Sequence, residues 1–123
     1  MGGLMSTKDA LTLQAEAESL HRLLESSRDR AGCISDILKA LSHPDRLRVM
    51  CLLASREMSV GEIESETGLN QSSVSQHLAQ LRSHRLVRGR KERNFVFYRV
   101  ANRKVLQLFS VLKSLSCSTK EDP

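Results

Sequence analysis

Three cysteines (Cys33, Cys51, Cys117), four histidines (His21, His43, His77, His84) and a run of cations between Arg88 and Arg99 are the side chains here with chemistry to offer. The cysteines contain no C-x-x-C spacing and the histidines no i, i+4 pair, so neither a disulfide scaffold nor a helical metal clip is written into the spacing. In a reducing compartment a bridge between such thiols would be regulatory rather than structural. Cys51 lies inside the apolar run Val49-Met50-Cys51-Leu52-Leu53, which reads as a buried, inert thiol. Arg46, Arg48 and Arg56 are near it in sequence, and cations close in space would lower a thiol pKa and make it reactive. A thiol enzyme would also want a cysteine paired with a histidine, and no such pairing is visible.

The cations are more telling. Arg88, Arg90, Lys91, Arg93 and Arg99 fall within twelve positions, opposed in that interval by Glu92 alone. They sit on two candidate strands, Leu86 to Lys91 and Phe95 to Val100, joined through Glu92-Arg93-Asn94. Just before this hairpin come two short helices. Ser59-Val60-Gly61-Glu62 has the S-x-x-E form of a capping box, which starts the first helix, and Gly68 ends it by taking the left-handed backbone. Asn70 then caps a second helix, Gln71 to about Arg82, with Val74, Leu78 and Leu81 on one apolar stripe. Ser72, Gln76, Ala79 and Ser83 point the opposite way, flanked by Ser73 and Ser75. That outward face is short, uncharged and rich in hydrogen-bonding groups. Helix, glycine turn, helix and basic hairpin together make a winged helix-turn-helix, whose second helix enters the DNA major groove while the wing grips phosphate or the minor groove. A hairpin solvated on its own, or a winged helix that binds protein, is the competing reading.

The remaining elements position this reader. The expected fold is mostly α with a small β-hairpin. The chain has 123 residues and a formal net charge of +5, which gives one modest core and suits a polyanionic partner. No apolar run reaches the roughly 20 residues needed to span a bilayer, and the N-terminus has no signal-peptide core, so no membrane partner and a cytoplasmic location are expected. Residues 1–30 read as an amphipathic helix, capped at Ser6 or Thr7, with Ala10, Leu13, Ala17, Leu20 and Leu24 recurring every three or four positions. Its stripe is assigned to dimer contact. A further helix, Ala31 to Ser42, turns Ile34, Ile37, Leu38 and Leu41 inward. Pro44 opens the next, a central helix carrying Leu47, Val49, Met50, Leu52 and Leu53. Asn102 caps a last helix whose seven large apolar residues, Val105 to Leu115, exceed one face of a monomer. The organisation expected is therefore a dimerisation helix over 1–30, a winged helix-turn-helix with its C-terminal dimerisation helix over 31–117, and a frayed tail over 118–123. A homodimer through the first and last helices would address a palindromic double-stranded operator with half-sites about one helical turn apart.

The segments Leu38-Lys39-Ala40-Leu41-Ser42-His43-Pro44-Asp45-Arg46-Leu47-Arg48-Val49, Ser59-Val60-Gly61-Glu62-Ile63, Ser73-Val74-Ser75-Gln76-His77-Leu78 and Phe97-Tyr98-Arg99-Val100 resemble the ArsR/SmtB repressors over roughly Ile34 to Cys117. The resemblance implies a homodimeric winged-helix repressor, with no enzymatic activity and no cofactor, that leaves its operator when an inducer is sensed. It also implies that Gln71, Ser72, Ser73, Ser75 and Gln76 approach bases and phosphates, and that Arg90, Lys91 and Arg93 meet the DNA backbone. His77, about 60° from the middle of the apolar stripe, is either a boundary histidine or a DNA contact. Two metal sites usual in the family are absent: Ser59 and Gly61 stand where one has cysteines, and Asn102, Lys104 and Gln107 where the other has acids and histidines. A metal or organic ligand at another site, Cys33 included, is the alternative inducer chemistry. Cys51 and Cys117, together with Cys51-Leu52-Leu53 and Glu57 to Glu62, are similar to the dithiol BigR/SqrR/HlyU-like branch. By that resemblance the two thiols become linked by a disulfide or polysulfide bridge when a reactive sulfur species or oxidant is sensed. Cys33 departs from the two-cysteine pattern.

Overall fold

The computed structural model describes residues 6–115. The chain forms two compact units divided between Leu38 and Lys39.

In the first unit, helix α1 (Thr7–Ser26) begins where expected. Ser6 caps it, its hydroxyl accepting from the Asp9 amide at 3.0 Å. Ser27 is extended and breaks the helix, and its hydroxyl accepts from the Arg30 amide at 3.2 Å. This cap starts helix α2 (Arg28–Leu41) three residues earlier than the apolar pattern places it. No residue of α1 is buried. Leu11, Leu13 and Leu20 are exposed, which leaves its apolar stripe uncovered.

The second unit holds the core. The end of α2 contributes Ala40 and Leu41. Leu38, expected to face inward, is 58% exposed. His43 takes the N-cap of α3 (Pro44–Ser55), its Nδ1 accepting from the Asp45 amide at 3.1 Å, with Pro44 in the first turn. From α3 come Val49, Met50 and Leu53. The capping box forms as the sequence predicts. Ser59 Oγ accepts from the Glu62 amide at 3.2 Å, Glu62 Oε1 accepts from the Ser59 amide at 2.9 Å, and α4 (Val60–Thr67) follows. Gly68 closes α4 at φ 77°, and Asn70 caps α5 (Gln71–Ser83) by accepting from the Ser73 amide at 2.8 Å. Ile63, Val74, Leu78 and Leu81 complete the centre.

The sheet has one strand more than the sequence suggests. Met58–Ser59 forms a two-residue β1, which pairs antiparallel with β3 (Phe95–Val100), and β2 (Val87–Glu92) pairs with the other edge of β3. A pair of residues leading straight into a capping box carries no alternation to read. Leu86, expected to open β2, is instead buried as the link from α5. The turn before it closes with the Leu86 amide donating to Leu81 O at 2.9 Å and Arg85 at φ 59°. Asn102 Oδ1 accepts from the Lys104 amide at 2.9 Å, so its cap-like bond sits just ahead of α6 (Val105–Ser114). No α6 residue is buried, and Val111, Leu112 and Leu115 are exposed.

Candidate DNA interface and thiol

Helix α5 has two faces of different chemistry. Val74, Leu78 and Leu81 are at most 2% exposed and fix the helix to α3 and α4. On the other side Gln71, Ser72, Ser75 and Gln76 are exposed and Ser73 is half-buried. None of these five side chains is drawn into a hydrogen bond with another described residue, so their donors and acceptors remain available to a partner. The first turn of α5 contains no acid to repel a phosphate. The helix therefore offers neutral, short, paired donors and acceptors of the kind that read base edges.

The wing is more ordered than a solvated ribbon. Its two strands meet at a two-residue turn, Arg93-Asn94, with Arg93 at φ 56°, the left-handed geometry that tight hairpins use at their first position. Gly89 pairs with Tyr98, and a Cβ added there would lie 3.1 Å from the tyrosine ring, so the ring occupies the space above the glycine. Arg90 is the anchor. Its Nη2 lies 2.7 Å and its Nε 2.8 Å from Glu57 Oε1, a second ion pair joins it to Glu92, and its guanidinium stacks 5.0 Å from the Phe97 ring centroid. The hydrogen bond from Arg90 holds the Glu57 carboxyl below the usual carboxylate range, and the two acids in turn push the Arg90 pKa up. Glu57 is outside the basic run and 33 residues away, which is why the sequence shows Glu92 alone opposing these cations. Lys91, Arg93, Arg88 and Arg99 are exposed and form no ion pair among the described residues.

His77 stands at the edge of the reading face. It is half-buried, with its ring centroid 4.7 Å from that of His43. Burial pushes its pKa down, and the neighbouring His43 and Arg46 push it further the same way. Cys51 lies on α3 away from Val49, Met50 and Leu53 and is exposed, contrary to the buried thiol that its apolar neighbours suggest. It borders a shallow apolar depression of about 400 Å³ lined by Leu47, Arg48, Leu52, Glu66 and Thr67. Arg48 is committed there to Asp45 Oδ1 at 3.2 Å and Thr67 O at 2.9 Å. Cys33 is exposed on α2. Cys117 lies outside the described residues.

The model of bacterial regulatory proteins of the arsR family matches residues 43–88, from the cap of α3 to the first residues of β2. The biofilm growth-associated repressor of Xylella fastidiosa is 37% identical over 101 residues, covering 82% of this chain and 89% of that protein. The chain belongs to the ArsR family. Reduced HlyU from Vibrio cholerae superposes with a TM-score of 0.65 at 38% identity, over 74% of this chain and 96% of that one. The homodimeric winged helix-turn-helix domain of Mb0332 from Mycobacterium bovis superposes with a TM-score of 0.65 at 28% identity, over 94% and 90% of the two chains. This ArsR-family member is thus a winged-helix, DNA-binding transcriptional regulator and not an enzyme. No helix among its described residues is long and apolar enough to cross a membrane.

Two features of the regulator were beyond sequence reasoning. The Glu57–Arg90–Glu92 network and the approach of His43 to His77 each join residues more than thirty positions apart, and no periodicity reports such a contact.

Proposed function

We propose that this regulator is a homodimeric repressor of a palindromic double-stranded operator, and that reversible thiol chemistry at Cys51 and Cys117 switches its affinity. Gln71, Ser72, Ser73, Ser75 and Gln76 read bases and nearby phosphates. Lys91 and Arg93 grip the DNA backbone, and Arg90 holds the wing that carries them. The dimer forms through the first and last helices. The uncovered leucines of α1, and the exposed Val111 and Leu112 of α6 with Leu115 just after it, support that assignment, since clustered exposed apolar side chains favour burial.

The observation that carries the switch is the exposure of Cys51. An exposed thiol can be attacked or can attack, whereas a thiol sealed in the core is inert. The opposite face of the same helix packs Val49, Met50 and Leu53 into the core that seats the recognition helix. A covalent tie made on α3 therefore acts on the element under α5. The solved structure of a relative in its reduced form, HlyU, favours redox chemistry as the signal. In exchange with a low-molecular-weight disulfide, two thiols lose two protons and two electrons, a sulfur–sulfur bond forms, and the disulfide leaves as two thiols. With a persulfide, each cysteine thiol takes the outer sulfur and releases the donor as a thiol, and the two cysteine persulfides then condense to a trisulfide with loss of hydrogen sulfide.

The test exposes the reduced protein separately to a persulfide, peroxide and glutathione disulfide. Intact mass and peptide mapping then follow the thiols, while the affinity for a DNA site selected from a random pool is measured on the same samples. The expected result is a Cys51–Cys117 link that lowers affinity at least about tenfold, a coupling of about 1.4 kcal/mol, and is reversed by a thiol. Thiols that stay free, or a link that leaves affinity unchanged, would refute the switch.

A further inference from the structure

We propose that His43, Asp45 and His77 form a binding site for a divalent transition-metal cation of the zinc, cobalt and nickel class. Each residue presents one ligand atom, and the three atoms lie within 4.8 Å of one another. Tetrahedral ligands bonded at about 2.0–2.1 Å stand roughly 3.3 Å apart, a closure that small rotations of three side chains supply. The donors come from two elements, the cap and first turn of α3 and the middle of α5, so the backbone on each side is already fixed by the core. The two imidazole rings face each other at 4.7 Å between centroids, tilted by 53°. Beside them is a cleft of about 370 Å³ that Gln76 and Arg46 also line, which leaves room for water in the remaining coordination positions. Two imidazoles and one carboxylate select zinc, cobalt or nickel over magnesium and calcium, which take oxygen.

Two groups oppose a cation there. Arg46 lines the same cleft, and its guanidinium is held by the bond from Nη1 to Ala40 O at 3.3 Å, so its charge is a cost that the three ligands must offset. The Asp45 carboxylate is shared with Arg48, which occupies Oδ1 and leaves Oδ2 for a metal. His43 has a cost of its own. Its Nδ1 accepts from the Asp45 amide, so the neutral ring carries its proton on Nε2. Ligation through either nitrogen displaces that arrangement, so metal binding exchanges the cap of α3 for a metal bond. The ion would then tie the start of α3 to the recognition helix at the residue after Gln76.

The experiment uses the full chain under reductant, and the same chain with Cys33, Cys51 and Cys117 changed to Ser to remove thiolate ligands. Cobalt(II), zinc(II) and magnesium(II) are each titrated by calorimetry, with visible absorption and histidine ring NMR for cobalt. The expected result is one zinc or cobalt per chain, tetrahedral cobalt bands without a sulfur-to-cobalt transition in the serine variant, and paramagnetic broadening of His43 and His77 but not of His21 or His84. His77→Ala and Asp45→Asn should each weaken binding at least about tenfold. Absence of saturable binding, preference for magnesium, or broadening of other histidines would overturn the proposal. The NMR readout uses no substitution in the site, so it decides the matter whether or not His77→Ala folds.

Discussion

Arg90, Lys91 and Arg93 look equivalent in the sequence, yet the structure gives them different electrostatic roles, and salt dependence of DNA binding separates them. Each phosphate neutralised by a free cation releases counterions and contributes about 0.9 to the slope of log affinity against log salt. In the proposed dimer Lys91→Ala removes two such contacts, so the slope should fall by about 1.8. Between about 50 and 200 mM salt that amounts to roughly a tenfold narrowing of the gap between wild type and variant. Arg90 already faces Glu57 and Glu92. A cation compensated in this way holds few counterions to release, so Arg90→Ala should leave the slope almost unchanged while weakening binding through a looser wing. Glu57→Gln frees part of that charge and should steepen the slope. Gln76→Ala should keep the slope and instead lose discrimination, by about 1–3 kcal/mol per half-site if it makes a good paired contact. Fluorescence anisotropy over a salt series, on an operator and on a scrambled duplex, gives all four numbers. If Arg90→Ala lowers the slope as much as Lys91→Ala does, Arg90 abandons its carboxylates for phosphate, and the division of roles within the wing is wrong.

Two further outcomes concern stability. The Glu62 carboxyl is held below its usual value, first by the Ser59 amide and then by Arg56. A depressed folded-state pKa contributes stability that is present above the unfolded value and lost as pH falls through the folded one. The melting gap between wild type and Glu62→Gln should therefore be open near pH 7 and shrink as pH falls below the ordinary carboxylate range; a gap that widens in acid would contradict the capping box as its source. Arg85 sits at φ 59°, where a side chain costs about 1–2 kcal/mol and glycine costs less, offset by the greater freedom of glycine in the unfolded chain. Arg85→Gly should leave stability unchanged or raise it by up to about 1 kcal/mol. A loss above about 1 kcal/mol in urea unfolding would mean that the arginine side chain outweighs its backbone strain.

What was legible in the sequence was whatever short-range chemistry decides. Ser59 and Glu62, Gly68, Asn70 and Pro44 each act on groups within four residues, so their positions translate directly into element boundaries. The recognition helix was legible because its apolar and polar residues separate at 3.6-residue spacing. Helix α3 resisted for the opposite reason. Its run from Val49 to Leu53 is apolar all round, so the pattern does not say which side is buried, and Cys51 falls on the exposed one. Strand β1 escaped because two residues have no period. Glu57 was invisible as a partner of Arg90 because its approach depends on β1 pairing with β3, a contact made only once the sheet exists.

That same sheet bears on how a thiol signal would reach DNA. Helix α3 touches β3 as well as α5, and β3 carries the wing's central ladder. A displacement of α3 is therefore felt by the recognition helix, which packs on it, and by the wing through β3. Close-packed contacts do not deform smoothly: Met50 and Val49 are fully buried, so a shift strains neighbours or moves them together. If the tie at Cys51 holds α3 in a position that misplaces both, each half-site loses base contacts and phosphate contacts at once. A switch of this kind would lower operator affinity and non-specific affinity together, whereas one acting on α5 alone would spare the non-specific term. Comparing oxidised and reduced protein on operator and scrambled duplex distinguishes the two, and a loss on both, larger on the operator, is the outcome this packing predicts.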